Sequence, residues 1–249
     1  MSEDGDARRA AGSVVPVTSS ASWAERAADQ SPAVQRSRNR SMERAKQIVA
    51  AARRLAVTKG SDFTIQDLAR EAGIALQTFY KHFPSKDLAI LAVIEDMTTE
   101  RCEQLRTAAE HLDPVGRLRF YVTAILGSNL PEAAASTEPS FIATEHYRLL
   151  RLYPKELTQA TGAFTQLLLP EIHAAVAEGT LAPADPDYAA WLVNQIVIAV
   201  FHHYECAGID QPPEQIGEQL WTFLLTGLGG DPSAVGGRKI GRRTRGRNA

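Results

Sequence analysis

Two groups of residues in this 249-residue chain have types and spacing that could do chemistry. Leu76, Gln77, Tyr80 and Lys81 fall on one face of a short amphipathic stretch. Gln can pair with adenine through two hydrogen bonds, Lys prefers guanine or phosphate, and Leu can touch a thymine methyl. The second group is His202, His203, Glu205 and Cys206, in which His202 and Cys206 lie four apart. That spacing can hold a metal ion on one helical face. Two ligands do not make a site, and His146 and His173 join only if the fold brings them in. The expectation is therefore no metal and no cofactor. No nucleophile elbow, Gly-rich phosphate loop or two-cysteine metal knuckle is present, so no catalytic set can be assembled and an enzyme is not expected.

The elements that must position the first group are readable locally. Thr64 with Asp67 three residues on has the pattern of a capping box. Ile65, Leu68, Ala69 and Ala72 then recur at helical spacing, and Gly73 ends the run where positive φ is needed. A second short helix follows, with Phe79 and Phe83 on its inner face and the four polar-face residues outward. Two short helices joined by a tight Gly turn make a helix-turn-helix. A first helix from Ser41 to Lys59, with Ala45, Ile48, Ala52, Leu55 and Ala56 on one stripe, would cover both.

The string from Ala72 to Leu88, Ala-Gly-Ile-Ala-Leu-Gln-Thr-Phe-Tyr-Lys-His-Phe-Pro-Ser-Lys-Asp-Leu, closely resembles the DNA-binding signature of the tetracycline-repressor (TetR) family. The Tyr-x-His-Phe-x-x-Lys core at Tyr80 to Lys86 matches, and the resemblance covers about residues 41–95. Ala75 departs from it, since the family often has Ser or Thr there. The second helix then lacks a side-chain N-cap, worth about 1 kcal/mol. The resemblance implies an all-α fold: a three-helix DNA-binding head joined to a helical ligand-binding and dimerisation body. It further implies a homodimer on a palindromic, double-stranded operator, repressing until a small-molecule effector releases it. The expected DNA contacts are Thr64, Leu76, Gln77, Tyr80, Lys81, His82 and Lys86, with Thr64, Tyr80 and Lys86 on phosphate. A ligand-free architectural DNA-binding protein is the alternative.

Composition fits this reading. Net charge is −2, but residues 41–86 carry +4, residues 87–230 carry −12 and the last nineteen carry +5. A basic head on an acidic body suits a protein that meets a polyanion at one end. Cys102 and Cys206 are too few for a disulfide scaffold and suit a reducing compartment. The longest apolar run, Leu88 to Ile94, is far short of the ~20 residues that span a bilayer. The N-terminus has no signal-like apolar segment. A cytoplasmic protein that does not enter a membrane is expected.

Four segments follow: a disordered arm at 1–40, the helix-turn-helix domain at 41–87, a helical body at 88–228 and a disordered basic tail at 229–249. Helix 4 should run from Ser85 to about Glu110 and act as the lever between head and body. Asp113-Pro114 and Asp185-Pro186 each read as a cap followed by Pro at the first helical position. Pro131 to Pro139 reads as a loop, and Phe141 to Tyr153 as a helix. A longer helix is expected from Pro154 to Gly179, kinked or broken at Pro170. The last two helices should be Asp187–Ala207 and Pro213–Gly227, with no fold beyond Gly229. Tyr121, Phe141, Tyr147, Phe164 and Trp191 are candidate walls of an effector cavity, with Glu145, His146 and Asn194 as polar contacts. An apolar effector, ring-containing or acyl, would suit such a wall. The run Ile196 to Phe201 and the stripe Ile216, Leu220, Phe223 and Leu224 suggest a four-helix dimer interface that includes Ile196 and Val200.

Overall fold

The computed structural model describes residues 31–126, 138–207 and 211–235. The chain divides into two compact units, residues 1–44 and 45–249. Every regular element among the described residues is an α-helix. Helix α1 spans Pro32–Lys59. Residues 32–40, expected to be disordered, are therefore helical. Nothing between Ala33 and Lys59 is Gly or Pro, and Pro32 stands at the first helical position, where its fixed φ favours the helix. Ser31 precedes the helix, and the rest of the expected arm, residues 1–30, lies outside the described residues.

Helix α2 (Ile65–Glu71) opens on the expected capping box. The Asp67 amide donates to Thr64 Oγ1 at 3.1 Å and the Thr64 amide donates to Asp67 Oδ2 at 3.0 Å. Gly73 takes φ 63°, the left-handed conformation that turns the chain into α3 (Leu76–His82). Ala75 gives α3 no side-chain cap, as its side chain requires. Ser85 accepts from the Leu88 amide at 3.3 Å and starts α4 (Lys86–Ala109), about 36 Å long at 1.5 Å per residue.

Helices α5 (Pro114–Leu126), α6 (Glu138–Leu152) and α7 (Pro154–Ala160) follow. Asp113 Oδ1 accepts from the Gly116 amide at 2.6 Å, the expected cap. Of the expected loop, residues 131–137 lie outside the described residues, while Glu138 and Pro139 already belong to α6. The expected long helix after Pro154 does break, but at Thr161 rather than Pro170. Helix α8 (Gly162–Ala177) runs through Pro170. The chain turns where Thr161 binds back to the Leu157 carbonyl and Gly162 weakens helix propagation. Helices α9 (Pro186–Ala207) and α10 (Pro213–Gly227) lie where expected, α9 capped by Asp185 Oδ1 on the Asp187 and Tyr188 amides. The basic tail is not wholly without structure. Asp231 caps a short turn, α11 (Pro232–Val235), and residues 236–249 lie outside the described residues.

Two apolar cores hold these helices. One gathers Ile48, Ala52, Leu55, Phe63, Leu68 and Phe79 with the first half of α4 and, from α6 and α7, Phe141, Leu149, Leu157 and Ala160. The other packs Cys102 and Leu105 of α4 against α5, α8, α9 and α10. Helix α4 is thus buried in one core at its start and in the other at its end.

Candidate nucleic-acid interface

Helix α3 presents Leu76, Gln77, Tyr80 and Lys81 to solvent and hides Phe79 completely. Phe79 makes an edge contact with Tyr80 at 5.4 Å and stacks on Phe83 at 6.1 Å. The outward residues therefore stand on an immobilised aromatic base. His82 is half-buried at the end of the helix. An outer face with one amide, one ammonium, one phenol and one leucine offers hydrogen bonds to base edges, a phosphate partner and a methyl contact.

The flanking candidates are already engaged. The Thr64 hydroxyl donates to Asp67 Oδ2 at 2.9 Å as well as accepting from its amide. The Thr64 amide first, and then its hydroxyl, both donating to the carboxylate, hold the Asp67 carboxyl below its ordinary value. Lys86 Nζ donates to the Ser61 carbonyl and lies 4.6 Å over the Phe63 ring. The carboxylates of this region are paired as well: Glu71 with Arg54 at 2.7 Å, and Asp67 with Lys59 at 3.6 Å and Arg70 at 3.4 Å.

The eight effector candidates do not converge on one cavity. Tyr121, Phe164 and Asn194 are buried in the α5–α8–α9 core, whereas Phe141 belongs to the core beneath the helix-turn-helix. Tyr147 and Trp191 are exposed, Trp191 stacking on Tyr188 at 5.3 Å. Glu145 is buried but accepts from Ser61 and Arg148. Aromatic count in the sequence could not separate core, surface and pocket wall. An open hollow of about 490 Å³ lies along Glu100, Glu103, Gln104, Thr107 and Ala108. A smaller one of about 150 Å³ lies between α4 and α7. Neither is lined by the eight candidates, and a hollow along one polar helix face encloses nothing apolar.

Among the described residues, three buried polar atoms nonetheless lack a partner: Tyr121 OH, Asn194 Oδ1 and Trp221 Nε1. Asn194 Nδ2 donates to Thr165 Oγ1 at 2.8 Å, so only its carbonyl is left over. A buried unpaired acceptor costs about 1–3 kcal/mol. Thr165 and Trp221 carried no signal in the sequence, because what matters is the helix they face.

The dimerisation candidates also divide. Leu220 and Leu224 are buried within the protomer's own core, and Ile196, Val200 and Ile216 are half-buried against it. Gly217 faces α5, where a Cβ would lie 3.2 Å from Thr123 Cα, so its smallness serves packing within the chain. Phe223 alone of the group is well exposed, at 66%. Around it the exposed positions of α10 include Gln215, Gln219, Thr222 and Thr226. The exposed positions of α9 between Tyr188 and Cys206 are Trp191, Leu192, Gln195, Ala199 and His203.

No group of three or more His, Cys, Asp or Glu poised for a metal occurs among the described residues. His202 is buried, its ring 4.2 Å from His146 and 5.1 Å from Tyr147. Burial, reinforced by His146, lowers the His202 pKa from 6.5 to about 3, and burial lowers His146 too. The folded state keeps His202 neutral while the unfolded chain takes up a proton. Its contribution is fully present above pH 6.5 and is lost as pH falls toward 3. Below the unfolded value, each such histidine tilts stability by up to about 1.4 kcal/mol per pH unit. Thermal midpoints of His202→Phe should fall less on acidification than those of the parent; parallel decline would refute the assignment.

Residues 48–93 match the family model described as bacterial regulatory proteins, tetR family. The regulator EthR of Mycolicibacterium smegmatis is 27% identical over 189 residues, covering 74% of this chain and 85% of that protein. EthR of Mycobacterium tuberculosis is 34% identical over 65 residues, which cover 26% of this chain and 30% of that one. Among solved structures, Thermus thermophilus FadR, a TetR-family repressor in complex with lauroyl-CoA, superposes with a TM-score of 0.60 at 18% identity. That match covers 82% of this chain and 100% of FadR. No described helix is long and apolar enough to cross a membrane. Residues 48–93 thus carry the tetR-family regulatory domain, and the chain as a whole resembles TetR-family transcriptional regulators in its helix-turn-helix and all-helical body.

Proposed function

We propose that the chain is a homodimeric repressor that reads a palindromic operator through α3 and leaves it when a small, largely apolar effector enters the α5–α8–α9–α10 core. The observation that carries the DNA reading is the exposed quartet Leu76, Gln77, Tyr80 and Lys81 on a fully buried Phe79. The unpartnered Tyr121 hydroxyl and Asn194 carbonyl support the effector reading. They are polar groups in an apolar core, the composition that ligand sites favour. FadR's complex with lauroyl-CoA makes acyl-CoA thioesters the first compounds to try.

The alternative, an architectural DNA binder with no effector, draws on the two hollows along α4, neither of which the candidates line. Titration of the operator complex with acyl-CoA thioesters and aromatic acids, followed by anisotropy, separates the two. A tenfold loss of DNA affinity needs about 1.4 kcal/mol of coupling, and operator must then weaken the ligand by the same factor. Release with reciprocal weakening is the expected result. If no compound in either series releases DNA or shifts the melting temperature, the architectural reading stands.

A further inference from the structure

Helix α4 is not the sole link between the DNA-reading helices and the body. Glu145 of α6 is 2% exposed, and Oε1 accepts a hydrogen bond from Ser61 Oγ in the turn between α1 and α2. Its Oε2 accepts from Arg148 Nε at 2.9 Å, one turn further along α6. Arg148 Nη2 also donates to Asp87 Oδ1 at 2.7 Å, in the first turn of α4. From the other side Lys86 Nζ holds the Ser61 carbonyl. Ser61 is thus gripped by hydroxyl and carbonyl, three residues before the cap of α2. The same face of α6 contributes Phe141 and Leu149 to the core beneath the helix-turn-helix.

We infer that Glu145 and Arg148 are positioning residues for DNA reading: α6 clasps the α1–α2 turn and the start of α4, and so fixes the pose of the recognition helix relative to the body. This rests on the proposed operator binding. A buried carboxylate with its charge partner adds little net stability, because desolvation offsets the attraction. What such a pair does supply is one geometry, since Arg148 meets Glu145 and Asp87 together only when α6 and α4 hold one register. In a dimer, that register sets how far apart the two recognition helices stand, and therefore the half-site spacing. The sequence offers no sign of the clasp, whose members are 61 and 84 residues apart.

The test compares the full-length parent with Glu145→Gln, which keeps the volume and an acceptor for Ser61 but weakens the hold on Arg148. Arg148→Lys, which keeps the charge but not the fork, serves as the second variant should the first fail to fold. Hydrogen exchange needs neither DNA nor ligand. Peptides covering the α1–α2 turn and the start of α4 should exchange about tenfold faster in the variants, while those from α8 and α9 stay unchanged. A library of operators differing only in spacer length reads the positioning role. The parent should prefer one spacer by about tenfold or more, and the variants should bind neighbouring spacers nearly equally. Unchanged exchange overturns the clasp outright. Faster exchange with an intact spacer preference reduces it to a structural contact and overturns the positioning role. If the parent selects no DNA, the operator reading fails on its own terms, and the exchange result still decides whether α6 holds the turn.

Discussion

Phe79→Ala should remove about 3–5 kcal/mol of stability from the DNA-binding head and abolish operator binding. The ring is fully buried and is the one core side chain α3 contributes. A seven-residue helix with no side-chain cap has no independent stability, so α3 persists only by packing. Truncating its anchor leaves a cavity beneath Tyr80 and Phe83, and the helix that carries Gln77 and Lys81 loses its base. The loss should be local: the α5–α8–α9–α10 core does not include Phe79. Exchange protection should collapse across α2 and α3 while persisting in α8 and α9. Phe79→Leu, which keeps most of the volume, should show a much smaller loss. A Phe79→Ala protein that melts and binds DNA like the parent would mean that α3 is held by something other than this core.

Phe223→Asp should convert dimers into monomers at micromolar concentration, with loss of operator affinity as its consequence. The body is strongly acidic, yet the exposed positions of α9 from Tyr188 to Cys206 hold no Asp, Glu, Lys or Arg. On α10, Gln215, Gln219, Thr222 and Thr226 flank Phe223 with no charge, and Glu218 at the edge is paired with Arg119 at 2.9 Å. Both helices pack on α5. A neutral, partly aromatic face on an acidic domain suits association with its own copy, where like charges would otherwise meet. In a two-fold interface each substitution occurs twice, and burying an unpaired carboxylate costs several kcal/mol per copy. A monomer then binds half-sites singly and loses the gain from linking them. Sedimentation velocity on parent and variant measures this directly. Identical sedimentation would place the interface elsewhere, and a monomeric parent would remove it altogether.

What the sequence revealed was local. Thr64 and Asp67 predict a cap because a hydroxyl and a carboxylate three residues apart can reach each other's amides in any context. Gly73 predicts a turn for the same kind of reason, and Ala75 predicts a missing cap. The outward quartet of α3 follows from helical spacing, which puts Phe79 and Phe83 on the opposite, inner face. Tertiary partnership was not legible. Glu145 was expected to touch an effector, because a lone carboxylate among aromatics does not disclose that Ser61 and Arg148 surround it. Leu220 and Leu224 were expected at a dimer interface, because an apolar stripe does not say whether its own chain or another covers it. Pro170 was expected to end or bend a helix, yet the break falls at Thr161-Gly162. The leading turns of α1 were not legible because residues 33–44 are exposed and carry no apolar stripe to mark a helix.

Whether α3 reads DNA in a two-fold dimer is decided by selection from a random duplex library with the full-length chain. The chain should enrich a palindrome whose half-sites lie about one helical turn, or a multiple, apart. Repeating the selection with Gln77→Ala should return the same palindrome with preference relaxed at one base pair per half-site, at a cost of about 1–3 kcal/mol. No enriched sequence from the parent, or enrichment identical in parent and Gln77→Ala, would contradict DNA reading through α3.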